Sequence, residues 1–404
     1  MRCLLLALYL LTAFLDAAGK TLATNPAVNE TASRLVGGAV AERISSARRP
    51  SGNFEIFRAA SRHLFSGDDL YAEYPAEHVD RFKYSPTFAL LFAPLAWLPS
   101  PLALFLWSSL NALVLFVAVE RLLPPRQALL VQALLYLEVL RAMQNAQSNS
   151  LVAGLIILAY LALERSRVWR AAFAVVAGVC VKIFPLAALT FAIPRRRSLR
   201  AGVATATAGA TLLLAPLLVT PPGTLLTQYR SWRAVEAIDA QQRWFSVMEL
   251  LHHWLGVTWP NWPVQLAATA ALLLPLLLRR DRWDEARFRL LHLCSVLMFV
   301  VLFNHQAERA SYVIAFAGVT IWFATEPRAW WRTTLFVVAF VAIPLMSTLI
   351  PGAPHSSTAM LYRLSLPTLV IWLTIQASQW AGPRRRPSSG PSNGQGTSLA
   401  SSSI

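Results

Sequence analysis

The sequence predicts an all-α fold, a polytopic membrane helical bundle of about 10–12 spans. Three observations carry the prediction. Of 404 residues, 56% are hydrophobic and only 14% charged, with a mean hydropathy of +0.48. Many apolar runs approach bilayer length. Basic residues gather in the short segments between those runs, as orientation of membrane helices requires. The net charge of +16 therefore reads as topology and not as a nucleic-acid footprint. The cysteines Cys3, Cys180 and Cys294 stand singly within apolar runs, a pattern without the spacing of a disulfide framework or a metal site.

Taken in order, the spans are expected near 3–18, 101–119, 127–142, 148–163, 201–219, 262–278, 290–303, 310–323, 333–350 and 362–380. The first of them, 1–18, has signal-peptide length but is read as a retained anchor. Residues 19–84 follow as a long extracytoplasmic loop with amphipathic helices. Residues 85–380 make the transmembrane bundle, and the Ser/Gly/Pro-rich 381–404 form a disordered cytoplasmic tail. Asn29-Glu30-Thr31 matches a glycosylation sequon, a weak pattern. The segment 85–98 is open between a short span and a re-entrant piece.

The stretch 171–193 decides the topology. "ERSRVWR" at 164–170 and "RRRSLR" at 195–200 flank it, and a single span would put one basic loop outside. A re-entrant pair of half-helices broken at Lys182-Ile183-Phe184-Pro185 returns the chain to its starting side. Proline removes a helix hydrogen bond, and a lysine at that depth is tolerated only toward a protein-lined or wet cavity. With this hairpin the segments read as cytoplasmic hold 20 lysines and arginines, against 6 in the short outer loops.

Four polar elements then share the outer face. In "NFEIFRAASRHLF" the spacing predicts an interfacial helix with Arg58 and Arg62 toward headgroups, Asn53 as N-cap and Glu55 in the first turn, where a carboxylate complements the helix dipole. Asp68 and Asp69 follow a glycine and read as turn residues. "RAMQNAQSN" supplies the amides Gln144, Asn145, Gln147 and Asn149, which donate and accept without charge and so suit sugar hydroxyls, or serve as helix caps and interhelical glue. In "FNHQAERASY", a helical i, i+3 spacing would set His305 beside Glu308 as a hydrogen-bonded base, with Arg309 adjacent; the alternative is an ordinary polar loop. Trp254, Trp259 and Trp262 read as an aromatic belt. A lone histidine and glutamate are too few for a metal.

Four stretches together carry a likeness: "NFEIFRAASRHLFSGDDLY", "KYSPTFALLFAPLAWLP", "QNAQSNSLVAGLIILAYLALER" and "AGVCVKIFPLAALTF". Over about residues 50–325 the sequence resembles the polyprenol-phosphate-mannose-dependent α-1,2-mannosyltransferases of glycosyltransferase family 87, in the GT-C superfamily. The resemblance implies a GT-C-like bundle whose site opens to the outer face of the plasma (inner) membrane. It implies a polyprenyl-phosphate sugar donor, a lipid-linked or cell-envelope glycan acceptor, and inversion at the anomeric carbon without a cofactor or metal.

The family's first-loop aspartate aligns with Asn53, and an amide cannot act as a general base at neutral pH. The base is therefore expected at Glu308 with His305, then at Glu55 or Asp80, unless activity is lost. Lys182 occupies the family's Lys-x-x-Pro position; it and Arg309 are expected on donor phosphate. Gln147 and Asn149 match the Gly-Gln-x-Asn stretch, and Asn53, Arg58, Tyr84 and Gln144 complete the expected substrate contacts. Two other classes stay open: a transporter or flippase for a lipid-linked substrate, which would want more mid-bilayer charge than Lys182, Glu138 and Glu120 supply, and a catalytically inactive envelope-assembly partner.

Overall fold

A computed structural model describes residues 1–24, 52–78, 80–348 and 357–381. The sequon at 29–31 and all but the first residue of the 381–404 tail lie outside them. Among the described residues the regular structure is all helical, without strands. Helices α1 (Arg2–Thr24), α2 (Gly52–Ser66), α3 (Pro86–Ala96), α4 (Ser100–Leu122), α5 (Pro125–Gln144) and α6 (Asn149–Glu164) lead to α7 (Val168–Val181). After a 3₁₀ segment, Phe184–Ala192, come α8 (Ser198–Leu214), α9 (Pro222–Asp239), α10 (Val247–Leu255), α11 (Asn261–Leu278) and α12 (Ala286–Leu302). Then come α13 (Tyr312–Thr325), α14 (Trp330–Phe340), a π turn at Val341–Leu345 and α15 (Ser357–Trp380).

Each apolar span expected from the sequence overlaps one of these helices. Among the described residues, five are long and apolar enough to cross a membrane by length and composition: Arg2–Leu22, Ser100–Leu122, Ser198–Leu218, Asn261–Leu278 and Ser357–Trp380. The other apolar helices are shorter, and α3, at 11 residues, falls well below the ~20 a single crossing needs. Prolines punctuate the chain as their chemistry requires. Pro86, Pro101 and Pro125 sit in first turns, where a missing N–H costs nothing.

The core centres on α13, nearly every residue of which is buried. Its closest neighbour is α12, and Gly318 makes the approach possible: a Cβ there would lie 2.7 Å from the Cys294 carbonyl oxygen. Helices α5 and α6 pack on other sides of α13, and α1 lies against α4 and α5. Small residues at such contacts let backbones approach where hydrophobic pressure between helices is weak.

The break at Lys182 turns the chain back. α7 ends at Val181, Lys182 is extended (φ −149°, ψ 136°), and the return arm is 3₁₀. Gly178 lets Pro185 fold against α7, since a Cβ at 178 would lie 2.9 Å from the proline ring. Both ends of the hairpin then meet at one end of the bundle. There Glu164 accepts from Arg195 Nε at 3.0 Å and from Arg289 Nε at 2.9 Å, which brings the 164–170, 195–200 and 279–289 segments together.

On helix α2 the direction of Arg58 differs from the headgroup contact expected for it. Phe54, Ile56, Phe57, Ala60 and Leu64 are buried against α3 and neighbours, and Arg58 turns inward to the C-terminal carbonyls of α3, Ala96 and Leu98, and to Ser100. Unpaired carbonyls at a helix end attract a guanidinium more effectively than a distant headgroup does.

Candidate active site

At the end of the bundle opposite Glu164, a cavity of about 420 Å³ collects segments far apart in sequence. Asn53 and Ile56 come from α2, and Asp80, Arg81, Lys83 and Tyr84 from the chain entering α3. The hairpin break gives Lys182, Ile183 and Phe184; α9 gives Trp232, Arg233, Glu236 and Asp239; the 304–308 loop gives Asn304, His305, Gln306 and Glu308. Four cations face four carboxylates, so the lining is near neutral while locally strongly charged.

A hydrogen-bond chain runs behind this lining. Lys182 Nζ donates to Asn149 Oδ1 at 2.9 Å, Asn149 Nδ2 to Gln147 Oε1 at 3.5 Å, and Gln147 Nε2 to Glu308 Oε2 at 3.2 Å. Asn149 and Gln147 are buried. Amides suit this position because each can pass on both a donor and an acceptor, so the chain joins a cation to a carboxylate without an intervening charge.

Lys83 anchors the opposite wall. Its Nζ lies 3.3 Å from Asp239 and 3.7 Å from Asp80, and the Trp232 indole N–H holds its carbonyl at 3.2 Å. Burial disfavours the Lys83 ammonium, but Asp80, Asp239 and Glu308 outweigh it and raise its pKa. Asp239 also accepts from Gln306 Nε2 at 3.1 Å. Burial and the adjacent Asp239 push the Glu236 carboxyl above its ordinary range, only partly offset by Trp232, Lys83 and Lys182. Tyr84 rises as well, through burial and then Glu308.

His305 and Glu308 both line the cavity but take separate partners, because 304–308 is a non-helical turn. His305 Nδ1 accepts from Gln265 Nε2 at 3.4 Å, which leaves the Nε2 proton of a neutral ring without a partner. Burial lowers the His305 pKa, with Asp239 opposing.

The structure brings Glu308, His305, Asp80, Asn53, Tyr84 and Lys182 to the cavity, with Gln147 and Asn149 one bond behind. It places four expected residues elsewhere. Glu55 lies in the first turn of α2 outside the lining. Arg58 is held by the end of α3. Gln144 is exposed beside Asp16 and Arg141 in a second cavity. Arg309 turns from the site to a buried carboxylate, with Nη1 and Nη2 2.8 and 2.6 Å from Glu138.

Lys83, Trp232, Glu236, Asp239 and Gln306 were not expected. The i, i+3 carboxylates in "VEAID" on a helix within an apolar chain are the signal that points to α9, and Lys83 immediately precedes Tyr84. Asn53, at the position expected to have lost its aspartate, still lines the cavity and donates to the Asn145 carbonyl at 3.1 Å.

No curated protein matches the chain closely enough to count as a relative. Residues 82–303, more than half of the chain, match glycosyltransferase family 87, and the match includes Lys83, Gln147, Asn149, Lys182 and the α9 carboxylates. A polytopic helical bundle, a charged cavity at one end and that match together make the chain a membrane glycosyltransferase, a member of glycosyltransferase family 87.

Proposed function

We propose that the chain transfers a sugar, mannose, from a polyprenyl-phosphate donor to a lipid-linked or cell-envelope glycan acceptor at the outer face of the plasma membrane, with inversion and without a metal. The observation that carries this reading is the Lys182–Asn149–Gln147–Glu308 chain along the cavity. Direct displacement at an anomeric carbon needs a base for the acceptor hydroxyl on one side and charge stabilisation for the departing phosphate on the other.

In the proposed step the acceptor oxygen bonds to C1 and its proton passes to Glu308. The C1–O bond to phosphate breaks, and polyprenyl phosphate leaves with the electron pair. Lys182 and Lys83 meet the charge that develops on it, the role cations play at phosphoryl oxygens elsewhere. Gln147, donating to Glu308, holds the carboxylate in place along the cavity. Ile183, Phe184, Trp232 and Trp244 give the same cavity apolar surface, which suits the isoprenoid chain beside the phosphate.

The test is transfer by the purified chain in lipid, supplied with radiolabelled polyprenyl-phosphate mannose and a mixed envelope-lipid acceptor extract. Labelled product that persists with chelator is the expected result. Donor binding without any product would overturn the catalytic reading and leave a non-catalytic member of the family.

A further inference from the structure

A second polar cluster lies on the other side of Asn53 and Asn145 from the catalytic cavity. Glu138 is 1% exposed and pairs with Arg309 through both carboxylate oxygens. Arg141 sits one turn further along α5 and borders a cavity of about 580 Å³ between α1 and α5. Arg363 belongs to the second turn of α15, and its Nε, Nη1 and Nη2 are all buried without a hydrogen-bond partner. The three arginines lie close enough to act on one another's charge.

The fold brings them together. Helix α5 packs against both the 3₁₀ turn Arg309–Ser311 and the π turn Val341–Leu345, and α15 packs against the same π turn. The carbonyl of Ile343 in that turn accepts from Arg309 at 3.0 Å. Arg309 takes both oxygens of the Glu138 carboxylate, so Arg141 and Arg363 add two guanidinium charges beside the pair in a half-buried site. Buried cations are ordinarily paired, and a guanidinium with three unmet nitrogens is a fork awaiting two oxygens. Asp16, the carboxylate that shares the Arg141 cavity, is already paired with the Lys20 ammonium at 2.9 Å.

We propose that Arg141 and Arg363, with Arg309 behind them, form an anion site for a phosphate group, separate from the catalytic cavity. Phosphate supplies the planar pairs of oxygens and the negative charge that the two free guanidinium groups lack. A lipid headgroup and free phosphate share this chemistry. Because Arg309 directly follows Glu308, an occupied site would also steady the loop that carries the candidate base.

The test uses full-length chain in dodecyl maltoside, which carries no phosphate, and follows thermal unfolding with and without added ligand. The ligands are inorganic phosphate, phosphatidic acid, and diacylglycerol as the lipid lacking the phosphate. The site predicts a rise in Tm with phosphatidic acid, inorganic phosphate or both, and none with diacylglycerol. Stabilisation by phosphatidic acid alone identifies a lipid headgroup, and stabilisation by inorganic phosphate identifies a free-anion site. Arg363→Met should match or exceed the wild-type Tm without ligand, since it removes an unpaired buried charge, and should weaken phosphate binding roughly tenfold. Arg363→Lys should keep part of the response. Equal ligand-induced shifts in wild type and Arg363→Met, or no shift in wild type, would overturn the site.

Discussion

Gln147 Nε2 donates to Glu308 Oε2 across 3.2 Å, joining residues 161 positions apart. The bond ties the start of α6 to the loop before α13. It presents Glu308 to the cavity already oriented by a hydrogen bond. Glu308→Gln keeps the size of the side chain and an oxygen for Gln147 but removes the proton acceptor. Transfer should fall by about 100- to 10,000-fold, with expression, membrane insertion and donor binding preserved. A variant turning over at the wild-type rate would move the base to Asp80, Glu236 or Asp239.

Lys182 marks the other end of the same chain, and the two ends should fail differently. Lys182→Gln can still donate to Asn149 but brings no charge to a donor phosphate. Donor binding should weaken about tenfold to a hundredfold, and the remaining binding should depend less on salt. Equilibrium binding of the labelled donor checks this directly. Unchanged affinity at low and high salt would give the phosphate contact to Lys83 or Arg81.

Much of this architecture is legible in the sequence, for identifiable reasons. Apolar runs of bilayer length locate helices because lipid leaves the backbone no other way to satisfy itself. The hairpin at 182–185 is legible because a proline, a lysine and two flanking basic loops all exclude a straight span. Convergence of the polar elements follows from the same topology, which places Asn53, Lys182, His305 and Glu308 on one side. The destinations of arginines are not legible in this way. Arg309 and Glu138 are 171 positions apart, and nothing local to either names the other. Arg58 lies on an amphipathic helix, yet carbonyls released where α3 stops near Pro94 claim it. The α9 carboxylates escape notice because no helix is expected between the spans at 201–219 and 262–278, whereas Pro222–Asp239 folds as one and turns Glu236 and Asp239 to the cavity.

Glu236 gives a pH-dependent prediction. Its carboxyl is raised from the ordinary 4.5 by burial and by Asp239, so the folded chain holds its proton more tightly than the unfolded chain does. The stability this adds is fully present below about pH 4.5 and is lost as pH rises through the folded value. At neutral pH the ionised group is a burden. Glu236→Gln should therefore raise Tm at pH 7, with the advantage over wild type fading as pH falls toward 4.5. Thermal unfolding of both proteins across that range is the measurement. A pH-independent difference would assign the effect to packing and not to the proton.

The Arg309–Glu138 pair supports a prediction about stability rather than catalysis. Both side chains are nearly excluded from solvent, at 11% and 1% exposure, with Arg309 Nη2 2.6 Å from Glu138 Oε1. Desolvating two charges consumes much of their attraction, so the pair is worth little against apolar residues, yet either partner alone leaves a buried charge. Glu138→Leu should destabilise by about 3–5 kcal/mol, more than most single substitutions, because it also leaves Arg309 among Arg141 and Arg363 with no carboxylate between them. Glu138→Leu with Arg309→Met should recover most of that loss. A double-mutant cycle by thermal unfolding measures the coupling. Additive losses would mean that Arg309 is held by the Ile343 carbonyl and its packing, with Glu138 a bystander.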